Sequence, residues 1–176
     1  MKTPSVLATG TLCLLLGVGI GYAAKITGAG IAVIRDKPAK EAALAALAEA
    51  ERVAANGSWE LIAVGRVYYL SGDKPRGQAL FDHVLGGKPG GADYEKIATV
   101  YAEAGDNDQA TANYEKMLAV DPKDDSSQAE VGAWYIRIGE RAKGETLLAQ
   151  ALQRRPNTPW YYVRAAESLL GVPAGQ

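Results

Sequence analysis

The chain has 176 residues, 48% hydrophobic and 22% charged, which is the composition of one ordinary globular domain with enough apolar mass for a sizeable core. A formal charge of −1 and a pI of about 5.9 exclude the strong basic field that holds nucleic acid. One phenylalanine against nine tyrosines, among many alanines, favours packed helices with small contact residues.

The chain begins with the weakly positive Met1-Lys2-Thr3, and Val6 to Ala24 then carries no charge. That run includes Leu12, Leu14, Leu15, Leu16, Val18 and Ile20, and Gly21-Tyr22-Ala23 sets small residues at the −3 and −1 positions of a cleavage site. Residues 1–24 therefore read as a secretory signal peptide. An uncleaved membrane anchor is the alternative, because the run is long enough to span a bilayer. Both readings place the rest of the chain outside the cytoplasm, in the periplasm or otherwise exported, with any membrane contact confined to this segment. Cys13 is the only cysteine, and Leu12 stands before it where a lipoprotein needs a small residue, so a lipid anchor is not expected. Loss of the segment leaves no thiol, and the body must then be stable by packing alone. Residues 25–37, with Gly28 and Gly30, read as a flexible tether.

Asp36-Lys37-Pro38 is a helix start and Gly57 a stop, which predicts a helix over 38–56. From there the chain is organised by self-similarity. Gly72, Gly105 and Gly139 are spaced by 33 and then 34 residues, and Tyr68, Tyr101 and Tyr135 repeat the same two intervals, as do Pro89, Pro122 and Pro156. The repeats are 58–90, 91–124 and 125–158, each predicted as two helices. The glycines accept φ > 0 and end the first helix; the prolines end the second and turn the chain into the next repeat. Small residues let the two helices approach: Gly65, Ala98 and Gly132 in the first, Gly77, Ala110 and Gly144 in the second. The three tyrosines, with Phe81, Tyr114 and Leu148, supply bulky contacts at helical spacing. After Pro156 a final helix is predicted over 159–170, with Tyr162, Ala165, Ala166 and Leu169 facing the array, and 171–176 read as a disordered tail.

Over residues 58–158 this pattern resembles the tetratricopeptide repeat (TPR) family. The middle repeat has Tyr94, Ile97 and Ala98 where the family has Trp, Leu and Gly, then Tyr101, Ala110, Tyr114 and Pro122 at its Tyr, Ala, Phe and Pro positions. The third matches through Val131-Gly132, Tyr135, Gly144, Leu148, Ala151 and Pro156. The first matches through Leu61, Val64-Gly65, Tyr68, Phe81 and Pro89; it departs in having Gly77 at the alanine position and in being one residue short. The resemblance implies an all-α fold, a right-handed α-solenoid of three TPR helix pairs. An N-terminal half-repeat helix over 38–56, with Ala43, Leu47 and Ala50 at second-helix positions, precedes the pairs, and a C-terminal capping helix follows them.

The resemblance also implies a concave face lined by the first helix of each repeat, with the second, fifth, ninth and twelfth positions exposed. These are Trp59, Ile62, Arg66 and Tyr69, then Ala92, Glu95, Thr99 and Ala102, then Ser126, Ala129, Ala133 and Ile136, with Trp160, Val163 and Glu167 from the capping helix. Candidate partner-binding residues are Trp59, Ile62, Arg66, Tyr69, Glu95, Thr99, Ala102 and Trp160. Large aromatic anchors beside small side chains suit a partner helix or peptide; packing of Trp59 and Trp160 on neighbouring helices is the alternative. The ninth positions are Arg66, Thr99 and Ala133, so the asparagines that clamp a peptide carboxylate in the chaperone-tail subclass are missing. From Asp93 to Glu130 ten carboxylates face three lysines, whereas Val131 to Gln176 carry a net charge of +3. Such asymmetry could orient a charged partner or favour head-to-tail contact; the plainer reading, and the preferred one, is that these charges keep the turns and convex faces soluble.

No constellation for catalysis or metal binding is present in the sequence. His83, the only histidine, lies in the second helix of repeat one without a second ligand or a nucleophile. Asp106, Asp108, Asp121, Asp124 and Asp125 lack EF-hand spacing, and Gly86-Gly87 and Gly90-Gly91 lack the Lys-Ser/Thr of a phosphate loop. No enzyme activity, metal or cofactor is expected. The expected function is a scaffold or adaptor in the cell envelope that holds another protein or peptide, with self-association as a further possibility. The alternative is an inner-membrane-anchored assembly factor or chaperone, of the cytochrome-maturation, secretion or pilus type.

Overall fold

The computed structural model describes residues 28–173, and residues 1–24, expected as a signal peptide or anchor, lie outside them. Eight α-helices occur among the described residues: α1 Ala39–Ala54, α2 Ser58–Leu70, α3 Lys74–Leu85, α4 Gly91–Glu103, α5 Asn107–Val120, α6 Asp125–Arg137, α7 Arg141–Arg154 and α8 Pro159–Leu170. The element pairs α2–α3, α4–α5 and α6–α7 pack closely, and the pairs stack on one another, with α1 against α2 at one end and α8 against α6 at the other. The fold is the all-α solenoid that the repeat intervals imply. No helix among the described residues is long and apolar enough to cross a membrane.

Local signals explain the helix ends. The chain turns out of each first helix at Gly72, Gly105 and Gly139, whose φ angles of 103°, 77° and 92° an L side chain rarely adopts. Asp73 then caps α3 by accepting from the Arg76 N–H at 3.3 Å, and Asp124 caps α6 by accepting from the Ser127 N–H at 2.7 Å. Second helices stop at Leu85, Val120 and Arg154, two to four residues before Pro89, Pro122 and Pro156.

Packing inside a pair is set by contact between small residues. A Cβ built on Gly144 would lie 2.4 Å from the Gly132 carbonyl oxygen and 2.7 Å from Ile136 Cγ1; one built on Gly77 would lie 2.7 Å from the Gly65 oxygen. The middle pair uses Ala98 and Ala110, both fully buried, and so tolerates one methyl on each side. Between pairs, Tyr68, Tyr101 and Tyr135 fill the core at 0%, 1% and 2% exposure. Burying a side chain of this size contributes about 1.5–3 kcal/mol. The Tyr101 hydroxyl donates to Gln78 Oε1 at 2.7 Å and that of Tyr135 to Glu115 Oε1 at 2.5 Å, each reaching back to the second helix of the preceding repeat. The Tyr68 hydroxyl is buried without a hydrogen-bond partner among the described residues, while the Arg76 guanidinium lies over its ring at 4.3 Å.

Two segments differ from expectation. Within the expected tether, Gly30–Val33 forms a 3-10 helix, and the Ala29 N–H donates to Glu49 Oε1 of α1 at 2.6 Å. Arg52 first and this amide second hold the Glu49 carboxyl at about 2. At the other end Gly171 takes φ 68°, the Val172 N–H donates to the Glu167 carbonyl at 2.8 Å, and the Val172 carbonyl accepts from Arg137. The start of the expected disordered tail is thus a closed helix C-cap.

Candidate functional site

The first helices α2, α4, α6 and α8 share one side of the solenoid and enclose a groove there. One section, about 360 Å³, is lined by Trp59, Ile62, Ala63 and Arg66 of α2, Glu95, Lys96, Thr99, Val100 and Glu103 of α4, Glu130 of α6 and Arg164 of α8. A neighbouring section of similar volume continues between α4, α6 and α8, past Thr99, Ala102, Ala133, Trp134, Arg137 and Glu167 to Pro173. The groove passes where α4 and α6 stand apart, since these two first helices do not close on each other as α2 and α4 do. Trp134 fills the gap beneath, its ring 5.3 Å from that of Tyr114 and its Nε1 donating to Thr111 Oγ1 at 2.9 Å.

Two ion-pair clusters stand in the groove. Arg66 Nε donates to Glu103 Oε2 at 2.7 Å, and Arg164 bridges Glu130 at 2.9 Å and Glu167 at 3.0 Å. Burial raises the Glu130 carboxyl above the ordinary glutamate value; Arg164 lowers it, and Glu95 and Glu167 push it up again. Trp59 stands at the rim, 57% exposed, with Lys96 Nζ 4.6 Å from its ring centroid. The surface therefore offers an apolar floor (Ile62, Ala63, Val100) between ion pairs of both signs, with an aromatic edge at one end. Among the described residues no group of three or more His, Cys, Asp or Glu is placed to hold a metal ion.

Five of the eight candidate residues meet in the first of these sections: Trp59, Ile62, Arg66, Glu95 and Thr99. Ile62 forms floor and not an exposed anchor, at 3% exposure. Ala102 lines the adjacent section. Tyr69, expected on the open face, is 7% exposed: its ring packs edge-on against Tyr101 at 5.4 Å and 5.8 Å from Phe81, and its hydroxyl bonds Asp106. A twelfth-position side chain of this length reaches across to the next repeat and becomes core. Trp160 is 69% exposed and does not line the groove. Helix α8 instead buries Tyr161 and Ser168, and because successive residues turn by about 100°, Arg164 faces the groove in place of Val163. Ala129 and Ile136, also expected to be exposed, are covered where α8 packs on α6, and Ala133 remains as a groove wall.

Lys96, Glu130 and Arg164 were not foreseen as groove residues, although the same 34-residue interval connects them, and Ala63 stands 33 before Lys96. They are the sixth positions of successive first helices. The signal was present in the repeat spacing, and what was missing was the tilt that turns position six inward.

No protein-family model matches the sequence. No curated protein matches it either. Among solved structures the chain is similar to MamA, with 14% identity and a TM-score of 0.53 over 75% of this chain and 80% of that one. It is also similar to YrrB, described as a TPR protein with an unusual peptide-binding site, with 14% identity and a TM-score of 0.49 over 75% of this chain and 68% of that one. The chain has the fold of a TPR-type helical repeat protein.

Proposed function

We propose that this protein is a non-catalytic scaffold that holds a helical or extended segment of a partner protein in the groove between its first helices, and that it works outside the cytoplasm. The observation that carries this reading is the groove itself: four first helices converge on one apolar floor flanked by the Arg66–Glu103 and Arg164–Glu130 pairs, with Trp59 exposed at the rim. Apolar side chains of an amphipathic segment would seat on Ile62, Ala63 and Val100, while its polar groups exchange with the ion pairs. Export rests on the N-terminal sequence, whose uncharged run from Val6 to Ala24 also allows a second reading as an inner-membrane-anchored assembly factor for an envelope complex.

The groove is tested by placing a photo-crosslinking residue at Ala63, and separately at exposed Ala119 on α5, in intact cells. Attachment of a partner from Ala63 and not from Ala119, abolished by Trp59→Ala together with Arg66→Glu, is the expected result. Equal attachment from both positions overturns the groove. Mass spectrometry of the native N-terminus separates the two readings of location, because a chain beginning near Ala24 retains no anchor.

A further inference from the structure

We propose that this protein assembles head to tail, α8 of one copy pairing with α1 of the next to complete a fourth helix pair. The inference concerns the ends of the solenoid and is independent of what the groove binds.

In each complete repeat the first helix covers three residues at positions i, i+4 and i+7 with its own second helix. In α2 and α6 these are Leu61, Gly65 and Tyr68, and Gln128, Gly132 and Tyr135, all buried; in α4 they are Tyr94, half-buried, and Ala98 and Tyr101, both buried. The same positions of α8 are Tyr162, Ala166 and Leu169, and all three are exposed, Tyr162 and Leu169 at 54% each; Leu170 beside them is 78% exposed. The helix that caps the array therefore presents an apolar outer face, where a terminal repeat needs a polar one.

The opposite end has the complementary deficit. Second helices bury one triad each against their first helix: Gly77, Phe81 and Val84; Ala110, Tyr114 and Met117; Gly144, Leu148 and Ala151. At the same spacing α1 carries Ala43, Leu47 and Ala50, of which both alanines are exposed and Leu47 half-buried, and no residue of this 16-residue helix is buried. Among the described residues the solenoid thus starts on a second helix without its first and stops on a first helix without its second. The unpaired faces continue an interface that the chain makes three times internally. They also match in size, since Ala166 opposite Ala43 of another copy reproduces the Ala98–Ala110 contact of the middle repeat, with Leu169 and Leu47 as the bulky pair beyond it. A contact between different surfaces of two copies closes into a ring only where its rotation allows, and one that continues the stacking of the solenoid extends it, so the product is an open series of oligomers.

The test uses the full chain with Cys13→Ser as background. Leu47→Cys and Leu169→Cys together are expected to yield, on mild oxidation, a ladder of dimers, trimers and longer species, which neither single cysteine produces. Sedimentation velocity of the unmodified chain is expected to show mass rising with concentration. Ala43→Glu and Leu169→Glu should each sediment as a monomer with unchanged helical circular dichroism. Mixing those two variants should restore a dimer and nothing larger, because one intact pair of faces remains. A monomer at every concentration overturns the proposal. So does a crosslinked dimer from Leu169→Cys alone, which would be a symmetric α8–α8 contact. A mixture that stays monomeric overturns it as well.

Discussion

The Tyr69 hydroxyl donates to Asp106 Oδ2 at 2.7 Å and so ties the first helix of repeat one to the turn of repeat two. Lys74 Nζ reaches the same carboxylate oxygen at 2.6 Å, and Lys74 first, with Tyr69 second, holds the Asp106 carboxyl below its ordinary value. A residue at a groove-facing repeat position is thereby a structural link. Tyr69→Phe is expected to cost about 1 kcal/mol in urea denaturation, and Tyr69→Ala about 3–5 kcal/mol through loss of ring packing. Groove crosslinking from Ala63 should persist in Tyr69→Phe. Loss of crosslinking in that variant with unchanged stability would return Tyr69 to the binding surface.

The three core tyrosines occupy one repeat position and should nonetheless answer differently to loss of the hydroxyl. Tyr101→Phe and Tyr135→Phe each remove a bond, to Gln78 and Glu115, and should cost about 1 kcal/mol each. Tyr68→Phe removes a buried hydroxyl that has no hydrogen-bond partner among the described residues and keeps the ring under Arg76, so stability should hold or rise by up to about 1 kcal/mol. The order of the three denaturation midpoints is the measurement; equal losses would contradict it.

Gly144→Ala should destabilise although alanine is the better helix former. The propensity gain of about 1 kcal/mol competes with a Cβ placed 2.4 Å from the Gly132 backbone oxygen, which only a shift of the helix pair relieves. A net loss of about 1–3 kcal/mol is expected. Gly91→Ala serves as control, since its Cβ would meet only Met117 Cγ at 3.9 Å, and its thermal midpoint should not fall.

Glu130 predicts a pH dependence opposite to that of an ordinary ion-paired carboxylate. Burial raises its folded value above the unfolded one despite Arg164, so its contribution to stability is present below the ordinary glutamate range. That contribution is lost as pH rises through the elevated folded value. Glu130→Gln should match the parent in acid and exceed it increasingly towards neutral pH, followed by thermal midpoint against pH. A variant that instead falls behind as pH rises would show that pairing with Arg164 outweighs burial.

Much of this molecule is legible from sequence because a repeat writes its packing rules several times. Gly72, Gly105 and Gly139 mark turns of positive φ, and Gly77 and Gly144 mark helix contacts too close for a side chain; both are local demands that appear at fixed intervals. The groove was legible only in part. Trp59, Arg66, Glu95 and Thr99 were named from repeat position, while Glu130, Lys96 and Arg164 were not, because position six turns inward only once the pairs have tilted on one another.

What the sequence determined by itself is the succession of helices, their pairing and the composition of the core, since these follow from periodicity and from side-chain size at positions close along the chain. What only the tertiary structure decided is which face remains open. Tyr69 is drawn into the core by Tyr101 of the next repeat, and α8 settles on Tyr161 and Ser168, so that Arg164 enters the groove and Tyr162, Leu169 and Leu170 are left outside. The physical reason is that exposure depends on the rotation of each helix against its neighbours. Contacts between residues separated by a whole repeat set that rotation, and no single repeat contains them.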